Sequence, residues 1–209
     1  MRTGRPRSFC KEEALDRAMT VFWRQGYEGA SLAALTEAMG INSPSLYACF
    51  GSKEGLFRAV VDRYEARRDG FMAEILAQPN AHAVAEAYLY GVAAFCADTG
   101  GQNPPGCLML KGAMSCCEQD ITEHMDRLRA NKEAMLKKRF DQAKKAGDLP
   151  ETANPATLAR YLATMASGIS MQAASGASAK DLREVAAVAL ASWPGSARAK
   201  NRDTARAPA

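Results

Sequence analysis

The sequence predicts an all-α protein of about nine helices, and three observations carry that reading. Apolar residues recur at three- and four-residue intervals along most of the 209 residues, and no useful stretch alternates as a half-buried strand does. Turn-forming residues stand between the periodic segments, at Gly26, Gly40-Ile41-Asn42, Gln78-Pro79-Asn80, Thr99–Gly106, Leu149–Pro155 and Gly176-Ala177. Two short helices joined by a tight turn, followed at once by a third helix start, fill Ser31–Lys53, the layout of a helix-turn-helix.

Each element follows from local chemistry. Residues 1–8 read as an extended arm, because Gly4 and Pro6 disfavour helix between Arg2, Arg5 and Arg7. The first helix ends at Gln25, buries Leu15, Ala18, Met19, Phe22 and Trp23, and is stopped by Gly26. Leu32 and Leu35 stripe the second, which Gly40 can end in a left-handed conformation. Asn42 caps the third, and Pro44 lies in its first turn, where no backbone N–H is missed. Leu46 and Phe50 give that helix one buried edge, opposite Ser43, Ser45, Tyr47, Ala48 and Cys49. Ser52 caps a fourth helix reaching Leu76 or Ala77, long enough to connect the head to a second core.

Further helices are expected over 81–98, 106–117, 119–146, 155–174 and 179–193. The last two carry wide apolar faces among small residues: Leu158, Leu162, Met165 and Ile169, then Leu182, Val185, Val188 and Ala189. Such a pair either completes the protein's own core or packs against its copy as a four-helix bundle, and periodicity does not distinguish the two.

Composition narrows the function classes. Hydrophobic residues at 47% suffice for a core, and no apolar run approaches the roughly 18–20 residues that span a bilayer. Six cysteines without a secretory signal suggest reduced thiols in a cytoplasmic protein. Two histidines, no metal-ligand cluster at standard spacing, no P-loop and no GxSxG argue against an enzyme, and no cofactor is implied. The net charge of +4 is uneven: four basic residues lie in the first eleven, and four against one acid lie in the last fifteen. The helical body between them is therefore net acidic, and the N-terminal arm is placed to meet a phosphate backbone. The other reading of that arm is a frayed, solvated terminus, and 195–209 reads as a disordered basic tail.

The run from Ser31-Leu32 through Met39-Gly40-Ile41-Asn42 and Leu46-Tyr47-Ala48-Cys49-Phe50 to Gly51-Ser52-Lys53-Glu54-Gly55-Leu56-Phe57 resembles the DNA-binding signature of TetR/AcrR-family repressors. Ala18 to Tyr27 resembles that family's first helix and its closing Gly-Tyr. The resemblance covers the first third of the chain and implies a homodimeric repressor of an inverted-repeat operator, dimerising through its last two helices. Four regions are expected: 1–52 as arm and helix-turn-helix, 53–79 as connector, 80–194 as ligand-sensing and dimerisation domain, and 195–209 as tail. Ser43, Pro44 and Ser45 lie where base edges are reached, and Tyr47, Lys53 and Ser31 match positions that contact the DNA backbone. The competing class is a helical adaptor that dimerises without binding specific DNA.

The resemblance also implies a small-molecule pocket among the middle helices, for which Phe71, Tyr88, Phe95, Met109 and Met114 are the candidate lining; each is otherwise plain core. Cys107 follows Pro104-Pro105-Gly106 and opens a helix, where positive potential favours a thiolate. That entry loosely resembles the thiol- and electrophile-responsive branch of the family. Cys116-Cys117 with His124 form a weaker soft-metal candidate, and buried packing is the favoured reading of these thiols.

Overall fold

In a computed structural model, residues 10–97, 104–114 and 118–194 are described, the side chains of Ala113 and Met114 excepted. Arg2, Arg5, Arg7, Cys116, Cys117, the Met114 side chain and the tail at 195–209 lie outside the described residues. Within them the chain forms α1 (Lys11–Gly29), α2 (Leu32–Met39), α3 (Ser43–Phe50), α4 (Lys53–Leu76), α5 (Ala81–Cys96), α6 (Leu108–Met114), α7 (Gln119–Lys145), α8 (Pro155–Ala174) and α9 (Ala179–Ala191), with no strand.

The caps do much to set these boundaries. Ser31, Asn42, Ser52, Asn80, Asn154 and Ser178 each accept a first-turn backbone N–H through the side chain. Each such cap stabilises its helix by about 1 kcal/mol. Gly26 departs from helical geometry at φ 74°, so α1 kinks there and its last turn carries Tyr27 into the core. Gly55 has a different duty: a Cβ on it would lie 2.0 Å from the Phe50 carbonyl oxygen. Only glycine lets α4 start this close behind α3, which fixes the pose of α3.

Two hydrophobic cores result. The head core joins α1, α2, α3 and the first half of α4 to Leu108 and Met109 of α6 and to Ile121 and Met125 of α7. It is aromatic: Phe22, Tyr27 and Phe57 pack with centroids 4.9–6.2 Å apart. The body core joins the end of α4 to α5, the C-terminal half of α7, α8 and α9, and is built largely of Ala, Leu and Val. Helix α4 runs through both, and Phe95 and Cys107 touch both. Helix α6 thus shares the head's core, although the sequence places it within 80–194.

Charges tie α4 to its neighbours. Asp16 of α1 accepts from Arg63 Nε and Nη2 and also pairs with Arg67. At the other end, Arg139 donates to the carbonyls of Leu76 and Gln78 and so closes α4.

The expected dimer face needs correction. Leu158, Leu162, Ile169, Leu182 and Ala189 are buried inside the protomer's own core, where a second copy cannot reach them. Met165 is partly buried against that core. Val185 and Val188 do point outward, 45% and 73% exposed, and Met171 of α8 joins them at 44%. Periodicity identified an apolar stripe on each helix; it did not say that the stripe faced inward and that a second, thinner one faced out.

Candidate nucleic-acid interface and thiol junction

Helix α3 is anchored on one side by Leu46, fully buried in the head core. Its opposite side is open: Ser43 and Pro44 are exposed, Ser45 is half-buried, and Tyr47 is 47% exposed. Its phenol hydroxyl is a hydrogen-bond donor carried by a helix whose other edge is buried in the core. Lys53 stands at the start of α4 with its Nζ 4.6 Å over the Tyr27 ring and 3.5 Å from the Glu28 carbonyl oxygen. The aromatic face restricts the lysine's conformers without neutralising its charge. Ser31 caps α2 through its oxygen, accepting from Ala34 N at 3.1 Å, which leaves its hydroxyl proton to donate. Lys11 Nζ lies 5.4 Å over Phe50, adding a cation beside α3. Serine and tyrosine hydroxyls, a lysine and exposed N-terminal turns are the equipment of a surface that meets phosphates and base edges.

The second constellation lies where the cores meet. Gly106 adopts φ 91°, donates its N–H to the Cys96 carbonyl at 2.8 Å, and sits where a Cβ would lie 2.8 Å from Ala174 Cβ. Glycine alone allows that approach, and it pins Cys107 against α5 and α8. The Cys107 sulfur lies 3.3 Å from the Tyr64 hydroxyl and 3.9 Å from Arg68 Nη1, which also donates to the Tyr64 oxygen at 2.9 Å. The Arg68 guanidinium lies 4.6 Å over Phe95 and 5.4 Å over Tyr64. Trp23 completes the aromatic wall, edge-on to Tyr64 and stacked on Phe95.

Burial governs the protonation states here. It pushes the Tyr64 hydroxyl well above the ordinary tyrosine range, Tyr88 to about 12 and the Cys96 thiol to about 11. All three are neutral near pH 7 and available as donors. Burial opposes the charge on Arg68, but the hydrogen bond to Tyr64 and the Glu65 carboxylate offset it and the guanidinium stays protonated.

The expected pocket residues divide accordingly. Phe95 and Cys107 are at the junction, and Tyr88 is buried within the electrostatic reach of Arg68 and Cys107. Phe71 packs instead against Gly91, and Met109 is buried in the head core. His124 Nε2 lies 3.0 Å from Asp62, and no group of three metal-ligating side chains occurs among the described residues. Arg68 and Tyr64 were not expected as a pair. The signal for them is a charge four residues past Tyr64, on the apolar face of α4 that Phe57, Val60, Val61, Met72 and Ile75 otherwise define.

The family model described as bacterial regulatory proteins, tetR family, matches residues 14–60. The HTH-type transcriptional repressor ComR of Escherichia coli K12 is 37% identical over 194 residues, 91% of this chain and 92% of the relative. A cysteine mutant of the TetR family transcriptional regulator CifR, solved with 26-bp double-strand operator DNA, superposes with a TM-score of 0.84. It is 37% identical and covers 91% of this chain and 100% of its own. The reduced form of E. coli NemR, 22% identical over 85% of this chain and 94% of its own, shares the fold with a TM-score of 0.71.

Proposed function

This chain belongs to the tetR family of bacterial regulatory proteins, and from that premise we propose that it is a homodimeric repressor of an inverted-repeat operator, released by a small-molecule or thiol-reactive inducer. It is a DNA-binding transcriptional regulator, and on this reading it works in the cytoplasm, where the operator is. The observation that carries the reading is the open face of α3, held rigidly by Leu46 and flanked by Tyr47 and the ring-steadied Lys53.

In this reading Ser43, Pro44 and Ser45 meet base edges in the major groove. Ser31, Tyr47 and Lys53 grip phosphates, and the arm with Arg2, Arg5 and Arg7 adds charge along the minor groove. The regions are a head over 1–52, a connector over 53–79, a sensing and dimerisation unit over 80–194, and a basic tail over 195–209. The outward stripe of Met171, Val185 and Val188 packs against its copy, setting two α3 helices about one helical turn, ~34–36 Å, apart. The inducer acts at the thiol junction, where Cys107 responds beside Tyr88 and Phe95. Because α4 runs through both cores, a change at Cys107 moves the heads relative to each other; such couplings are typically about 1–3 kcal/mol.

Selection of genomic fragments by the purified protein tests this. An approximate inverted repeat is expected among the retained sequences. If the wild type and a Tyr47→Ala/Lys53→Ala variant bind equally weakly and without preference, the protein is a helical dimer of another purpose.

A further inference from the structure

Arg68 is a half-buried guanidinium with no carboxylate within ion-pair distance among the described residues. Of the acids flanking it on its own helix, Glu65 is engaged by Lys132 Nζ at 2.5 Å, and Asp69 is exposed and forms no ion pair with it. The buried Glu65 carboxylate offsets the Arg68 charge through space but makes no hydrogen bond to it, so the guanidinium's own donors remain to be met by an anion. Only Nη1 is occupied, by the Tyr64 hydroxyl and the Cys107 sulfur; the described residues offer the Nε and Nη2 edge no acceptor. That edge is one of the two forks by which arginine holds a carboxylate through parallel hydrogen bonds.

A guanidinium only donates, so the Tyr64 oxygen accepts from Arg68; between Tyr64 and the Cys107 sulfur, 3.3 Å apart, either can donate while the thiol is protonated, and the thiolate takes the Tyr64 proton. As the thiolate, the reacting form, the sulfur faces two donors, and the open fork belongs to one of them. Phe95 covers one face of the guanidinium and holds it in place.

We propose that Arg68, with Tyr64, forms an oxyanion subsite that selects carboxylate-bearing small electrophiles and delivers them to Cys107. This deepens the reading of Cys107 as the responsive thiol and rests on it for its regulatory meaning. Iodoacetate serves as the probe. The Cys107 sulfur forms a bond to the methylene carbon as the carbon–iodine bond breaks, iodide leaves with the electron pair, and the thiol proton passes to solvent. The product carboxylate lies on the Arg68 fork.

The measurement compares alkylation rates by iodoacetate and by neutral iodoacetamide, cysteine by cysteine, by mass spectrometry of the intact protein's peptides. Exposed Cys10 and Cys49 are reference thiols in the same chain. The iodoacetate-to-iodoacetamide ratio at Cys107 is expected to exceed theirs by roughly tenfold, the scale of a charge-assisted hydrogen bond. Arg68→Met brings the ratio down to the reference, and Arg68→Lys, which keeps the charge but lacks the fork, falls between. A Cys107 ratio equal to that of Cys10 and Cys49, or one unchanged in both Arg68 variants, overturns the subsite. No DNA enters this assay. A high ratio with an operator complex indifferent to alkylation leaves the subsite standing and removes only the switch role of Cys107.

Discussion

The two cores of this protein are built from different material. The head core is a cluster of large rings, with Phe22, Trp23, Tyr27, Phe57 and Tyr64 all buried. The body core relies on Ala81, Ala85, Ala93, Ala159, Ala173 and Ala186 between Leu and Val side chains, with Phe140 and Trp193 as one aromatic pair. Interlocked rings have few alternative packings, so the head is one rigid reading unit. Small residues allow helices to approach closely and to shift past one another at lower cost, which is what the ligand-sensing role proposed for the body requires. The junction of Arg68, Tyr64 and Cys107 stands between them, polar where both neighbours are apolar.

The contrast can be broken most severely in the head. Phe57→Ala removes a ring packed against both Phe22 and Tyr27 and should cost about 3–5 kcal/mol in chemical denaturation, with operator binding lost alongside. A smaller loss, with DNA binding retained, would mean that the head repacks as freely as the body.

Val188→Arg probes the body's outer face. At 73% exposure the side chain supports little of the protomer fold, so melting of the isolated protomer should be nearly unchanged. Like charges opposed across a two-fold interface cost several kcal/mol, so if the proposed dimer forms through this face the particle mass should fall from dimer to monomer. A variant that remains dimeric would move the interface elsewhere.

Gly106→Ala tests the junction. The added methyl meets Ala174 and strains a backbone at φ 91°, with an expected cost of about 1–3 kcal/mol. The alkylation rate of Cys107 should change while that of Cys49 does not.

Asp16→Asn has the smallest expected effect. The pair is partly exposed, so its contribution near pH 7 is under about 1 kcal/mol. The Arg63 hydrogen bond, with Arg67 and Arg63 charges beside it, holds the folded Asp16 carboxyl below its ordinary 3.8. A depressed folded pKa gives stability that is present above the unfolded value and is lost as pH falls through the folded one. The gap between wild type and variant should therefore be flat above about pH 5 and close below pH 4. A gap that widens on acidification would contradict the assignment.

The sequence made the head legible almost residue by residue. Ser31, Gly40, Asn42 and Ser52 are local signals whose effect does not depend on distant packing, and each lies where a helix starts or stops. Helix existence in the body was equally local. What the sequence could not carry was which partner each apolar stripe meets: Leu158 faces inward because α5 and α7 pack on α8, and Leu182 because α5 and α8 pack on α9. The junction was half legible. Cys107 stood out by its Pro-Pro-Gly entry, but its neighbours come from 39 and 43 positions earlier in the chain, and no spacing rule joins them. Arg68 on an otherwise apolar helix face was the clue.

In the proposed complex α3 reads sequence while Lys53 and Tyr47 supply grip. Its most direct test is the salt dependence of operator binding for wild type, Lys53→Ala and Ser45→Ala on the selected operator and on variants of its bases. Lys53→Ala should weaken binding to every sequence alike and lower the salt slope by about one unit. Ser45→Ala should leave the slope in place and change the ranking among base variants. Equal losses on all sequences for both substitutions, with identical slopes, would contradict the division of labour on which this account rests.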